Sequence, residues 1–335
     1  MRRALLPVLL VFVSACSASS AEKPVAPSPV AHTTAAPSPS PAPPALTLDE
    51  AAQAFRDHLA VDDVARVTGD ERWALELARD GQDLITIAQY RGSRSKPPRY
   101  TWGEPTLIVP RQNGRAPLWF AAVAERRAPG EDPRQALLVF VQQGGIWQNS
   151  FESLLETDLP EIELDPEGYA TALDSRDESI AISPHLMGPL HATVAEEGSG
   201  GYASALIEPG PHTTGYHDEI ASLDKEFRRR EVGYDSIFAL AVGFPVFAIR
   251  TADGGGLLLY SLTRTTTWTP EGTAQGMHME IPEAARWTIF TEVIIKERRI
   301  LETQQYVSRV PPRDSTAPAA IIGYDGLVTR GSVSN

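Results

Sequence analysis

Apolar positions change character along the chain. Residues 4–13 are an apolar run behind Arg2 and Arg3, and a long stretch with few large apolar side chains follows. From Thr47 the spacing becomes regular. Leu48, Ala52, Phe55 and Leu59 recur at helical intervals and form one stripe. Thr47-Leu48-Asp49-Glu50 reads as a capping box, in which the Thr hydroxyl accepts from the Glu50 amide while the Glu50 side chain reaches back. Trp73, Leu75, Leu77 and Leu84 continue helix-permissive sequence past Gly81. The period then shortens. Residues 100–110, 118–126 and 136–141 are short runs rich in Val, Ile, Phe and Trp, bounded by Pro, Gly and Asn, and predict strands. After a middle rich in Pro and Gly, residues 214–231 permit a helix, and 237–242, 246–250, 257–263 and 288–296 predict further strands.

The two halves can be laid side by side. Pro117-Leu118-Trp119-Phe120-Ala121-Ala122 faces Pro245-Val246-Phe247-Ala248-Ile249-Arg250, Ala136-Leu137-Leu138-Val139-Phe140-Val141 faces Gly256-Leu257-Leu258-Leu259-Tyr260-Ser261, and Trp147 faces Trp268. The turn at 126–134 is longer than that at 251–255, an insertion that costs little at a hairpin tip. This alignment predicts an α+β fold of two tandem related units, 46–180 and 181–335. Each would pack a helical segment on a curved antiparallel sheet, with the boundary near 174–184, where Ser175-Arg176-Asp177-Glu178-Ser179 is polar. The element order of each half is similar to the cystatin-like and nuclear-transport-factor-like cone folds.

Composition narrows the setting. The chain has 335 residues with 30 basic and 43 acidic side chains, a formal net charge of −13. Loss of Arg2 and Arg3 with a leader takes it to −15. That sign excludes a phosphate-gripping nucleic-acid binder, which needs clustered Lys and Arg. Of residues 17–45, 24 are Pro, Ala, Ser or Thr, too few large apolar groups to fold, so 16–45 reads as a disordered semi-rigid spacer. Cys16 is the only cysteine, which leaves no disulfide framework and no catalytic thiol in the folded part.

Charged n-region, short apolar core and small residues before a cut mark 1–15 as a signal peptide. Its ending, Val13-Ser14-Ala15-Cys16, resembles the bacterial lipobox. The resemblance implies that Cys16 becomes the first mature residue and carries lipid on its thiol and amine. No second apolar segment of spanning length occurs, so attachment to the outer face of the cytoplasmic membrane would rest on that lipid.

Candidate chemistry is sparse. Ser93-Arg94-Ser95-Lys96 has the Ser-x-x-Lys spacing, but Pro97 and Pro98 break the helix such a pair requires. Glu197-Gly198-Ser199-Gly200-Gly201 lacks the first glycine of a nucleophile elbow and reads as a loop. His212 and His217, with Asp218 and Glu219, are too loosely spaced for zinc. His278 and Glu280 could share a strand face, and His185 and His191 read as capping or packing groups. The acidic run Asp158, Glu161, Glu163, Asp165 and Glu167 lacks a calcium-loop pattern. Trp102, Trp119, Phe120, Trp147, Trp268 and Trp287 read as core. Lys225, Arg228, Arg229 and Arg230 form the one basic cluster, a solvated helix face or a contact for an anionic wall polymer. No catalytic, metal or cofactor-binding residue emerges.

Pro245-Val246-Phe247-Ala248-Ile249-Arg250-Thr251-Ala252-Asp253-Gly254-Gly255-Gly256-Leu257-Leu258-Leu259-Tyr260 resembles the signature of an uncharacterised lipoprotein family of actinobacteria, as does Val310-Pro311-Pro312 with Ile321-Ile322-Gly323-Tyr324-Asp325-Gly326-Leu327-Val328. The likeness runs from about Leu46 to the C-terminus and brings no known activity. The expectation is a non-enzymatic, lipid-anchored binding or interaction protein of the envelope, partnered by an envelope protein or cell-wall polymer. Its rivals are a carrier of a small apolar ligand in a sheet–helix cavity and a cell-wall enzyme using carboxylates. Cys16→Ser should release the protein from membranes or leave it unprocessed. A processed variant that still needs detergent for extraction would disprove the anchor.

Overall fold

Thr47 opens the fold as its sequence predicts. In the computed structural model, which describes residues 44–94, 96–112 and 117–334, the Glu50 amide donates to Thr47 Oγ1 at 3.2 Å and the Thr47 amide donates to Glu50 Oε2 at 2.8 Å. Helix α1 (Leu48–Thr68) starts there and stops at Gly69, whose φ of 70° suits a residue without Cβ. Two helices follow, α2 (Glu71–Glu76) and α3 (Asp80–Gly92). The leader, Cys16 and the spacer up to residue 43 lie outside the described residues. The fold already includes the spacer's last residue, since the Ala45 amide donates to the Gln112 carbonyl at 3.1 Å.

Strands β1 (Thr101–Trp102), β2 (Thr106–Ile108), β3 (Trp119–Arg127), β4 (Arg134–Gln143) and β5 (Ile146–Leu155) come next. Helices α4 (Pro184–Glu197) and α5 (Thr214–Arg228) precede β6 (Val232–Leu240), β7 (Phe247–Arg250) and β8 (Gly256–Pro270). A two-stranded ribbon, β9 (Met277–His278) with β10 (Val293–Ile294), leads to the long strands β11 (Glu297–Val310) and β12 (Ala320–Ser334).

The α+β class holds, but the two separate sheets expected for a tandem duplication do not form. Strands from both halves share one ten-stranded sheet of order β1-β3-β4-β5-β12-β11-β8-β6, with β2 beside β3 and β7 beside β8. The cause is the final hairpin. β11 and β12 insert between β5 and β8 and tie the halves together. The matched hairpins also differ in register. Trp119 pairs with Val141, whereas Phe247 pairs with Leu259 instead of Ser261, because the tighter turn closes two residues earlier. Trp147 lies at the start of β5, next to Ile146, while Trp268 lies near the end of β8. Nor is 174–184 a linker. Ile180 and Ile182 are buried, and the Ala181 amide donates to the Pro311 carbonyl at 2.9 Å.

The sheet curls. Leu137, Val139 and Phe151 from one side meet Leu257, Leu259 and Val307 from the other in a single apolar cluster. Trp119 of β3 and Phe247 of β7, on opposite flanks of the sheet, bring their rings to 5.0 Å. The alternate residues point outward at period two. Phe120, Ala122, Leu138 and Phe140 pack with Phe55 of α1, and Leu258, Tyr260 and Leu262 pack with Met187 and Val194 of α4 and Tyr216 of α5.

One seam of the sheet is nearly open. β5 and β12 pair only through Leu155↔Gly323 and Leu154↔Tyr324, then diverge. α3 fills the wedge and packs on β5, β11 and β12. Gly81 permits this approach, since a Cβ there would lie 3.2 Å from both Gln305 Nε2 and Ser261 Oγ. Residues 77–79 cover part of the exposed β5 edge. The Asn149 amide donates to the Leu77 carbonyl at 2.8 Å, and the Arg79 amide donates to the Asn149 carbonyl at 2.9 Å. Gln305 covers the next step, accepting from the Glu152 amide at 3.0 Å and donating to the Ser150 carbonyl at 3.5 Å. Gln305→Leu should therefore leave a buried amide unpaired and cost about 1–3 kcal/mol. Urea unfolding should show a lower midpoint with an unchanged slope.

Candidate functional site

A cleft of about 870 Å³ opens where α3 ends. One wall is the last turn of α3 with Arg91, Gly92 and Arg94. The facing wall carries Glu283, Arg286, Trp287 and Phe290, and the floor holds Tyr100, Arg126, Asp325 and Leu327.

The facing wall belongs to the segment between β9 and β10, and β11 fixes it. Arg298, fully buried, donates to the carbonyls of Met279 at 2.7 Å, Glu280 at 2.8 Å and Glu292 at 3.5 Å. Burial without an adjacent carboxylate bond pulls its pKa below the usual guanidinium range. Ile281, Ala285, Ile289 and Ile294 anchor the same segment in a core shared with Trp268, Ile300 and Val328. Trp287 donates its indole N–H to the Val328 carbonyl at 3.2 Å, which leaves the ring at the cleft. Phe290 is 89% exposed.

The floor is a buried charge network. Arg126 of β3 donates to Glu152 of β5 at 2.9 Å and lies 3.9 Å from an Asp325 carboxylate oxygen on β12. The Tyr100 ring sits between two guanidinium groups, with Arg126 Cζ 4.4 Å and Arg66 Cζ 4.7 Å from its centroid. Each cation has its own carboxylate, since Arg66 donates to Asp62 at 2.6 Å, so the like charges do not repel unopposed. Arg66 also donates to the Pro98 carbonyl and to Gln89 of α3. Burial first, and then the neighbouring Glu152 charge, push the Asp325 carboxyl up to about 6 against the pull of Arg126. Burial likewise pushes the Tyr100 phenol up to about 12.

A second polar cluster lies under α4 and α5. His191 Nε2 donates to the His212 carbonyl at 2.6 Å, so Nδ1 accepts from the Tyr260 hydroxyl at 2.8 Å. Burial pulls His191 down to about 4, which keeps it neutral. Tyr216, Tyr306 and Gln304 extend the chain of hydroxyl contacts. This cluster is enclosed packing; His212 alone reaches a smaller cleft, where it pairs with Glu156 at 2.8 Å.

The other sequence candidates scatter. Cys16 lies outside the described residues. Ser93 ends α3 instead of opening a helix, donating its hydroxyl to the Gln89 carbonyl at 2.6 Å. Gly198, Ser199 and Gly200 form a 3₁₀ turn after α4. His217 bonds the Glu196 carbonyl and His185 the Ser175 carbonyl. His278 pairs with Glu292, and Glu280 with Arg286, so the pair expected on one strand face is divided. Asp165 and Glu167 both hold Arg111. Among the described residues no group of three or more His, Cys, Asp or Glu side chains could hold a metal ion. Arg228 pairs with Asp224, and Arg230 lies over Phe227. Trp119, Phe120 and Trp268 are core groups as expected, but Trp287 lines the cleft. Tyr100, Arg126, Phe290 and Asp325 were missed by sequence reasoning. The one available signal was an aspartate inside the apolar run from Ile321 to Val328.

Arg126→Ala should strand two carboxylates on the floor and destabilise the fold by about 3–5 kcal/mol at pH 7.5. A carboxyl with a raised folded pKa stabilises below its unfolded pKa and loses that contribution as pH rises through the folded value. The deficit of the variant relative to the parent should therefore shrink at pH 5. Buried His58 and His191, both drawn down to about 4, act oppositely but equally in both proteins, so the difference isolates the floor. Paired urea titrations at the two pH values measure it.

Comparison with known proteins follows this geometry. No solved structure matches the chain. An uncharacterized lipoprotein of Streptomyces coelicolor, SCO6871, is 25% identical over 273 residues, covering 77% of this chain and 74% of that protein. The model of the family described as a domain of unknown function, DUF8094, matches residues 42–332, nearly the whole described fold, and the chain belongs to that family.

Proposed function

We propose that this chain is a lipid-anchored binding protein on the outer face of the cytoplasmic membrane, one of a family of actinobacterial lipoproteins, and that the cleft beside α3 holds its ligand. The carrying observation is the cleft itself. About 870 Å³ of space lies between a pinned wall and a charged floor, with the exposed Phe290 ring at its lip. Ligand sites combine such concavity with a few placed polar groups.

The anchor reading rests on Cys16 in its lipobox-like setting and on the lipoprotein relative. No helix among the described residues is long and apolar enough to cross a membrane. The Pro-rich spacer would hold the folded part away from the lipid surface. Binding is favoured over turnover because Ser93 in the cleft lining is tied to a helix carbonyl and, among the described residues, no imidazole lines the cleft. The apolar-carrier alternative places its ligand between sheet and helices, where Tyr260, Tyr306 and His191 already fill the space.

Protein extracted from its native membrane should carry a bound molecule detectable by native mass spectrometry. Trp287→Ala and Phe290→Ala should lose it. Phe290→Ala should fold within about 0.5 kcal/mol of the parent, because its ring is exposed. Retention of the adduct by both variants would place the ligand elsewhere.

A further inference from the structure

Asp325 on the floor of the cleft has no cation in hydrogen-bond contact among the described residues. Two carboxylates, Glu152 and Asp325, share the guanidinium of Arg126, and the sharing is unequal. Glu152 has a 2.9 Å hydrogen bond from it, while Asp325 stands off at 3.9 Å. Among the described residues Asp325 accepts one hydrogen bond, at Oδ1 from the Gly326 amide at 2.7 Å, and Oδ2 accepts none. Its side chain keeps 24% of its surface open, and it lines the cleft.

Among the described residues no ion pair joins Asp325 to the rim arginines Arg91, Arg94 and Arg286. Arg91 is held by Glu71 at 2.7 Å, and Arg286 by Glu280 at 2.9 Å. Aromatic faces, which favour cations within about 6 Å of the ring, stand at the same cleft in Trp287 and Phe290. The protein as a whole is acidic, which raises the local concentration of cations around it.

We propose, resting on the assignment of the cleft as the binding site, that its ligand carries an alkylammonium group, as a lysine side chain does, which enters between Trp287 and Phe290 and pairs with Asp325 Oδ2. The ammonium gives Asp325 the hydrogen-bonded cation that Arg126, at 3.9 Å, and the more distant Arg134 do not. The groups facing Asp325 are Arg126 of β3, Arg134 of β4, Glu152 of β5, Tyr324 of β12 and Tyr100. Burial holds the Asp325 carboxyl up at about 6. Binding a cation would draw that pKa down, so affinity should fall as the free carboxyl protonates.

The probe is Nα-acetyl-lysine methylamide, titrated into the full ectodomain and followed by NMR of the Trp287 indole N–H. Saturable binding is expected at pH 7.5, weakened about tenfold at pH 5, where about a tenth of the carboxyl remains ionised. Nα-acetyl-2-aminoheptanoic acid methylamide, in which a methyl group replaces the ammonium so that the probe keeps its shape but is neutral, should bind at least tenfold more weakly. Asp325→Asn should bind the lysine probe at least tenfold more weakly and lose the pH dependence, with its melting temperature showing that it folds. Equal binding of charged and neutral probes, or no saturable binding of the lysine probe, overturns the proposal without needing the variant. So does a uronate oligosaccharide that binds at Trp287 and is lost in Arg94→Gln; that outcome would leave the cleft as the ligand site.

Discussion

Two residue pairs hold β5 to β12, and the arrangement of the cleft follows from how their divergence is compensated. Parting strands leave amides and carbonyls with no ladder partner, and buried ones must be satisfied. Here the cover is heterogeneous. Residues 77–79 run along β5 for one step, a glutamine side chain from β11 serves the next, and α3 fills the wedge. Farther out the seam is closed by charge. Arg126 and Glu152 belong to the β3–β5 side and Asp325 to β12, so one guanidinium group spans the split. The last turn of α3, carried past the sheet by its seat in the wedge, becomes a cleft wall. Removing Gly81 or Gln305 from this scheme would move the wall as well as weaken the core.

The interior handles polar groups in three ways. Arg298 donates from its two terminal nitrogens to three backbone carbonyls, fixing the segment that bears Trp287 and Phe290, while its buried Nε has no hydrogen-bond partner among the described residues. His191 remains neutral and joins a tyrosine network through one defined tautomer. Arg66 and Arg126 are paired with carboxylates and share the face area of Tyr100. The second scheme is closed on itself, and the first lacks a partner only at Arg298 Nε. Satisfied networks of that kind rigidify a core, while a partly satisfied one is costly. The third leaves Asp325 short, and it is also the one that meets the larger cleft.

Much of the local structure was legible in the sequence, and the global arrangement was not. The capping box at Thr47 and the β3 and β4 runs declared themselves because local spacing controls them. β11 did not. It is central and buried on both faces, yet Thr303, Gln304, Gln305 and Ser308 occupy its interior positions and break any apolar alternation. Without β11 and β12 the two halves look independent, which is why the chain reads as a duplication. α4 was hidden by Gly188 and Pro189. The glycine lets α4 sit close on β6, since a Cβ there would come within 2.6 Å of Leu240 Cδ1 and force that side chain to shift. The site escaped for a related reason. Tyr100, Arg126, Trp287 and Asp325 come from four distant parts of the chain, and no spacing rule connects an arginine on one strand with an aspartate across a seam.

Exposed apolar side chains are common on protein surfaces and single examples need no explanation. Phe290 differs in its support. A ring on a loose loop could fold down onto neighbouring apolar groups, and burial would gain about 1.5–3 kcal/mol. Here Ile289 and Ile294 are sunk in the core on either side, and Arg298 holds the carbonyls at 279, 280 and 292. The backbone is therefore set, and the ring is held out in solvent by the same contacts that fix Trp287 at the cleft. A wall this firmly anchored presents its aromatic groups at little further ordering cost when a ligand arrives. Preorganisation of that kind is a feature of binding surfaces and serves no evident purpose in folding.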